Sequence, residues 1–338
     1  MRTTFHPFLP NGFSGDPVLW VDLLDEGHSV MIDLGELTSI PARKLLRVSR
    51  VVVTHTHMDH FIGFDHLLRL ALGRESELVV SGPPGFLEQV GGKVAGYTWN
   101  LIQNYPVQLI AEEIDGDKVR STRFTGANRM RPTPIEERRF TGTLHAHRAY
   151  TIHADLFDHG IPVLGVVLNE TEHLSVNKDR LERMGLEAGP WLADLKNAVR
   201  RCSPDDTEVD VTLAGGAVHR RRLGEVAEEI LFRTPGQKIG YLTDIGYTEE
   251  NVKKAVKLAH GVDLLVCEAA FLHDDEALAA QRGHLTARQA GELARACKAS
   301  KLAPFHFSPR YVGRHQELLD EAAEAFGGPV IEMPRGPC

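Results

Sequence analysis

Apolar residues along the first part of the chain fall into short runs separated by polar and turn-forming residues. Val18-Leu19-Trp20-Val21, Ser29-Val30-Met31-Ile32 and Arg50-Val51-Val52-Val53-Thr54 are β-type runs. The spacing then changes. From Phe61 to Leu72 the apolar positions Phe61, Phe64, Leu67, Leu68, Leu70 and Ala71 repeat at helical intervals. Leu78-Val79-Val80 predicts a strand, stopped by Gly82-Pro83-Pro84-Gly85, with a helix from Phe86. Ile161 to Leu168 predicts a buried strand, and Asn177 to Arg201 two helical pieces broken at Gly189-Pro190. Lys238 to Thr243, Asp263 to Val266 and Lys301 to Phe307 read as strands. Thr286 to Lys298 predicts a helix with Thr286 as N-cap, and Gln316 to Phe326 a final helix. Interleaved strands and helices place the chain in the α/β (α+β) class, with layered sheets.

Composition narrows this picture. A chain of 338 residues is one large domain or two ordinary ones, and 42% hydrophobic with 25% charged residues is the balance of a soluble globular protein. Runs such as Leu264-Leu265-Val266 are far shorter than the ~20 residues a membrane helix needs. No apolar run follows Arg2, so no secretory leader is expected. Cys202, Cys267, Cys297 and Cys338 have no paired close spacing, which fits reduced thiols in a cytoplasm. The net charge of −8 means that any contact with nucleic acid must come from a local patch. One such patch is 118–148, where Lys118, Arg120, Arg123, Arg129, Arg131, Arg138, Arg139 and Arg148 face only Glu136 and Glu137. It reads as loops and short strands forming a basic insertion, either a solvated excursion or a binding surface. The 17 histidines point towards metal or acid–base chemistry.

The sharpest local feature is Thr54-His55-Thr56-His57-Met58-Asp59-His60. It puts four ligand-type side chains into six residues, after an apolar strand and before a helix. His55 and His57 alternate and can point one way in a tight turn, while Asp59 and His60 point at a second position nearby. Imidazole and carboxylate donors in this density suit two metals sharing one activated water.

His-Thr-His-Met-Asp-His, preceded by Met31-Ile32-Asp33-Leu34-Gly35-Glu36, resembles the metallo-β-lactamase superfamily. The resemblance implies a four-layer αβ/βα sandwich of two sheets flanked by helices, with Asp33 bracing the metal loop. Three later stretches resemble further family motifs. These are Asp158-His159-Gly160-Ile161-Pro162, Tyr241-Leu242-Thr243-Asp244 and Pro304-Phe305-His306-Phe307-Ser308-Pro309-Arg310-Tyr311. Singly, His159 could be a turn histidine, Asp244 a helix cap and His306 a core histidine. His145, His147 and His153 compete for the role of His159. In this order after the first motif they support one another.

The resemblance narrows to the ribonuclease Z branch through Glu268-Ala269-Ala270-Phe271, Gly283-His284-Leu285-Thr286 and the segment Gly189-Pro190-Trp191-Leu192-Ala193-Asp194-Leu195-Lys196. Cys267 stands where that branch has histidine, and Leu285 where it has serine. The branch implies a single hydrolase domain over 1–338 with an arm-like insertion over 171–229. It implies two divalent ions, zinc first, with manganese or iron as substitutes. His55, His57 and His159 would hold one, Asp59, His60 and His306 the other, and Asp244 would bridge. Asp59, His284 and Glu268 would be the catalytic residues, His284 donating a proton and Glu268 orienting it. Lys196 and Arg310 would contact substrate. The implied reaction is hydrolysis at the 3′ end of precursor tRNA by a cytoplasmic homodimer. The alternative keeps the metal centre and takes a small phosphodiester or another ester. A redox enzyme is disfavoured, because His57 stands where a carboxylate would be needed. A non-catalytic RNA-binding protein is disfavoured by seven ligand candidates, against four in a closed structural site.

Overall fold

Short apolar runs pair into two sheets, and helices close the outer face of each. The computed structural model describes residues 4–23 and 26–336, so Arg2 and Cys338 lie outside the described residues. The described residues form two units. The larger takes those within 5–144, 152–168 and 238–336, and the smaller takes Thr4, 145–151 and 169–237.

In the larger unit, eight strands lie side by side in sequence order. They are β1 (Phe5–Phe8), β2 (Leu19–Leu23), β3 (His28–Ile32), β4 (Val48–Val52), β5 (Leu78–Gly82), β6 (Gln108–Asp115), β7 (Lys118–Thr125) and β8 (Thr133–Arg139). The central pairs β3–β4, β4–β5 and β5–β6 are parallel, and the flanking pairs are antiparallel. Between them run α1 (Ala42–Leu45), α2 (Met58–Phe61), α3 (Phe64–Ala71) and α4 (Phe86–Ala95). Met31, Val51 and Val53 pack with Phe61, Phe64, Leu67, Leu68 and Phe86. Strand side chains alternate, so Val30, Ile32 and Val52 take the other face, where they are equally buried.

The second sheet has the order β18-β17-β16-β11-β10-β9. Its strands are β9 (Thr143–Ala146), β10 (Tyr150–Asp158), β11 (Pro162–Glu170), β16 (Lys238–Leu242), β17 (Leu264–Glu268) and β18 (Leu302–Phe305). Leu242, Leu265, Cys267 and Leu302 pack against Ala255, Leu293, Leu318 and Ala322. These come from α8 (Glu249–Leu258), α10 (Ala287–Ala296) and α11 (His315–Phe326), with α9 (Glu276–Arg282) between α8 and α10. Tyr241, Val266 and Phe305 take the inner face, and the Tyr241 hydroxyl donates to Asp33 Oδ2 at 3.0 Å, joining one sheet to the other. The expected helix–sheet–sheet–helix layering is therefore the architecture of this unit.

The smaller unit has its own core of Leu181, Trp191, Leu195, Val211, Leu223, Val226 and Ile230. It contains the antiparallel pairs β12 (His173–Val176) with β15 (Leu231–Thr234) and β13 (Glu208–Thr212) with β14 (Val218–Arg222). Its helices are α5 (Lys178–Arg183), α6 (Trp191–Arg200) and α7 (Leu223–Ile230). The two helical pieces expected around Gly189-Pro190 are α5 and α6. Thr286 caps α10 with a full capping box to Gln289.

Two expectations change. The helix read from Phe61 to Leu72 is two helices, beginning at Met58 and broken at Ile62-Gly63. Gly63 N–H donates to Leu34 O at 2.8 Å, and a Cβ on Gly63 would lie 2.2 Å from Gly35 O. Close approach to the Asp33–Gly35 turn sets the break, not the local period. Residues 118–139 hold two strands longer than expected, β7 and β8, joined by a turn over 126–132. Their basic side chains meet carboxylates, Lys118 to Glu137 at 2.7 Å, Arg120 to Asp115 at 3.0 Å and Arg138 to Glu112 at 3.8 Å. Glu112 and Asp115 belong to β6, outside the window that looked basic. Among the described residues no helix is long and apolar enough to cross a membrane.

Candidate metal centre

β4 carries the chain to the inner end of the sheet, and Thr54 to His60 turn there into α2. Asp33, at the end of the neighbouring β3, is fully buried. Its Oδ1 accepts from Thr54 N (2.7 Å) and Thr54 Oγ1 (2.8 Å), and its Oδ2 lies 2.9 Å from His60 Nδ1. A carboxylate can only accept, so the Thr54 hydroxyl spends its proton on Asp33. Towards His55 Nδ1, 3.2 Å away, that hydroxyl must accept. His55 and His60 therefore both carry the proton on Nδ1. His159 follows the same rule, because its Nδ1 lies 2.8 Å from the Gly283 carbonyl. With Nδ1 so committed, all three rings turn Nε2 to the cluster.

Those nitrogens converge. His55, His57 and His159 each offer a ligand atom within 4.8 Å of the others, and so do Asp59, His60 and His306, and His55, His60 and Asp244. Asp244 stands between the groups. Its Oδ2 is 3.0 Å from His60 Nε2 and 4.0 Å from His306 Nδ1, and its Oδ1 is 3.7 Å from His159 Nε2. His55 Nε2, His60 Nε2 and His306 Nδ1 are buried without a hydrogen bond. Buried polar atoms are seldom left so, and converging imidazole nitrogens beside carboxylates are a donor set that fits a divalent cation.

Charge follows the same design. Burial, then the charge of His60, pushes His55 down to about 2, so it is neutral at working pH. Burial also opposes protonation of His60, but the Asp33 and Asp244 carboxylates overcome it and hold His60 up at about 10. For Asp59, burial is outweighed by the His306 hydrogen bond and by His60, which bring it down to about 2. Asp244 is held well below the usual carboxylate range against its burial by His306 and His60. Asp33 (φ 64°), Asp244 (φ 50°) and His306 (φ 59°) all sit in the left-handed region. Such conformations cost of order 1–3 kcal/mol each and persist where surrounding bonds over-determine them.

Beside this cluster, His284 Nδ1 is 2.8 Å from Glu268 Oε2 and 3.3 Å from Asp244 Oδ1. Glu268 is fully buried, and its other oxygen accepts from Ile245 N at 2.8 Å. Burial works against protonation of His284, but Glu268 raises its pKa overall. A cavity of about 420 Å³ is lined by Asp59, His284, His306 and Arg310, together with Asp16 and Arg282. Lys196 lies on α6 in the smaller unit, and His145 and His147 also belong to that unit, whereas His159 is in the larger one. His153 lies on β10, 3.2 Å from Thr143. Sequence reasoning missed Thr54, Tyr241, the Gly283 carbonyl, Asp16 and Arg282. Thr54 and Tyr241 stood within quoted motifs and carried a signal that could have found them; Gly283 stood in one too, but it acts through its carbonyl, which no side-chain pattern marks.

Comparison with known proteins fits this geometry. Residues 204–307 match the family model described as a beta-lactamase superfamily domain. Ribonuclease Z of Deinococcus radiodurans is 31% identical over 317 residues, covering 92% of each chain. The chain belongs to the ribonuclease Z family. As a member of that family it is a hydrolase, and the fold implies binding of divalent metal. Among solved structures, the metallo-beta-lactamase fold protein YhfI from Bacillus subtilis matches with a TM-score of 0.56 at 15% identity, covering 97% of this chain and 98% of that one. Human tRNase Z, short form, matches with a TM-score of 0.52 at 18% identity, covering 91% and 94%. At these identities both support the fold alone. It is the metallo-β-lactamase fold anticipated for a ribonuclease Z family protein.

Proposed function

We propose that this protein is a metal-dependent endoribonuclease that hydrolyses one phosphodiester at the 3′ end of precursor tRNA. His55, His57 and His159 would hold one divalent ion and Asp59, His60 and His306 a second, with Asp244 shared; the nitrogen-rich donors favour zinc, with manganese or iron as substitutes. When bound, such ions polarise the phosphate and make water a nucleophile near neutral pH. The observation that carries the reading is His284, which is bonded to the buried Glu268 and lines the same cavity as Asp59 and His306. With Nδ1 committed to Glu268, His284 keeps Nε2 for the cavity and can hold a proton there for the departing 3′ oxygen. Asp59, at the cavity wall, positions His306 through the 3.4 Å contact between Oδ2 and Nε2. Lys196 and Arg310 would contact the RNA. The free thiols of Cys202, Cys267 and Cys297 suit a reducing cytoplasm, and the family resemblance supports a homodimer.

A paired assay on one metal-quantified sample tests this. Precursor tRNA with a 3′ trailer should be cut at the tRNA boundary, leaving a 3′-hydroxyl, and chelation should abolish it. Turnover of bis(p-nitrophenyl) phosphate with intact precursor would overturn the RNA substrate and leave a small-diester hydrolase.

Asp33 offers a second test. Asp33→Asn preserves shape and tolerates the left-handed backbone. It removes the charge that orients His60 and replaces one of the two acceptor oxygens by an NH2 donor, so the side chain can no longer accept from both Thr54 and His60. Metal affinity should fall about 10–100-fold. Competition with a chromogenic chelator measures this, and unchanged affinity would remove Asp33 from the role of bracing the ligands.

A further inference from the structure

The last residue of α9 has chemistry that the metal centre leaves unused. α9 ends at Arg282, and Gly283 follows with φ 73°, its carbonyl accepting from His159 Nδ1 at 2.8 Å. A Cβ on Gly283 would lie 2.7 Å from that same nitrogen, so the peptide after Arg282 is seated directly on a ring of the imidazole cluster. Two residues on is His284. The Arg282 backbone is thus fixed from both directions, while its side chain is exposed and lines the cavity with His284, His306 and Asp59.

Two arginines line this cavity, and they differ in what surrounds them. Arg310 Nη1 lies 3.5 Å from Asp275 Oδ1, and Asp275 also accepts from the Tyr311 hydroxyl, so part of the Arg310 charge is countered where it stands. Among the described residues Arg282 has no carboxylate partner. A guanidinium is charged at every working pH and presents a planar fork that matches two phosphate oxygens. An exposed, uncompensated guanidinium beside a phosphodiester-hydrolysing cluster has one natural counterpart, a second phosphate on the same substrate.

We propose that Arg282 grips a phosphate adjacent to the scissile one, and so makes the site prefer a polynucleotide over an isolated diester. This rests on the nuclease reading above. A small diester has no second phosphate to offer, whereas an RNA strand carries one on each side of the cut. Arg282 is a binding and specificity residue here and moves no proton.

The test compares wild type, Arg282→Ala, Arg282→Lys and Arg288→Ala on precursor tRNA over a range of salt. Arg288 is equally exposed but lies on α10 and does not line the cavity. Metal content and melting temperature are checked first on each. Arg282→Ala should raise KM about tenfold with a much smaller change in kcat, and should flatten the slope of log(kcat/KM) against log salt by about one. Arg282→Lys should restore the slope but only part of KM, because the charge returns without the fork. Arg288→Ala should match wild type. If Arg282→Ala keeps the wild-type KM and salt slope on a precursor that wild type does cleave, the proposal is wrong and the nuclease reading stands. If wild type cleaves only the small diester, the nuclease reading fails first and this proposal falls with it.

Discussion

His57→Ala should abolish metal binding at its site and turnover together while leaving the fold intact. His57 is exposed, and it caps α2 through its backbone with no side-chain hydrogen bond, so its imidazole contributes little to stability. Exposed substitutions away from caps and cores usually change stability within about 0.5 kcal/mol. His60 would be a poor choice for this test. It is buried and bonded to Asp33, and truncating it would strand a buried carboxylate. The chemical cost of His57→Ala is large because hydroxide is scarce without a metal. Water's pKa is about 15.7 in bulk and about 7 on a catalytic zinc, so a fall in kcat/KM of at least about 10³ is expected. Metal analysis, a thermal melt and precursor cleavage on one preparation check all three parts. Full turnover from metal-free His57→Ala protein would sink the assignment of His55, His57 and His159 to one ion.

The sequence was most readable where the chemistry is local. His55 to His60 lie in one turn, so spacing alone suggested a ligand cluster. The groups that fix the tautomers were hidden because they are remote or belong to the backbone. Asp33 and Tyr241 meet across 208 residues, and His159 finds its acceptor, a main-chain carbonyl, 124 residues away. No side-chain motif marks a carbonyl. Charge counting at 118–139 saw only part of the pairing for the same reason, since the carboxylates beside Arg120 and Arg138 stand on the neighbouring strand β6. The helical period from Phe61 to Leu72 was real, but Gly63 interrupts it because a main-chain oxygen approaches too closely for any side chain. Thr286, by contrast, was legible because a capping box lies within four residues.

Substituting His284 by alanine should separate proton donation from metal holding. The residue sits where both are chemically open to it. Its Nδ1 is bonded to Glu268, yet Asp244, Glu268, His284 and His306 also offer ligand atoms within 4.8 Å of one another. If His284 donates a proton, the loss depends on the leaving group. A ribose 3′ oxygen is a poor leaving group and needs the proton, so kcat on precursor tRNA should fall about 10²–10⁴-fold. p-Nitrophenolate departs as an anion, so bis(p-nitrophenyl) phosphate should be hydrolysed nearly as before, with metal content unchanged. Glu268→Gln gives the companion result. The carboxylate raises the His284 pKa against burial, so removing it lets burial lower that pKa. A proton donor is active below its pKa, and the alkaline fall in kcat should therefore move to lower pH in Glu268→Gln. Equal losses on both substrates, with metal lost as well, would instead make His284 a ligand and leave the departing oxygen to take its proton from elsewhere.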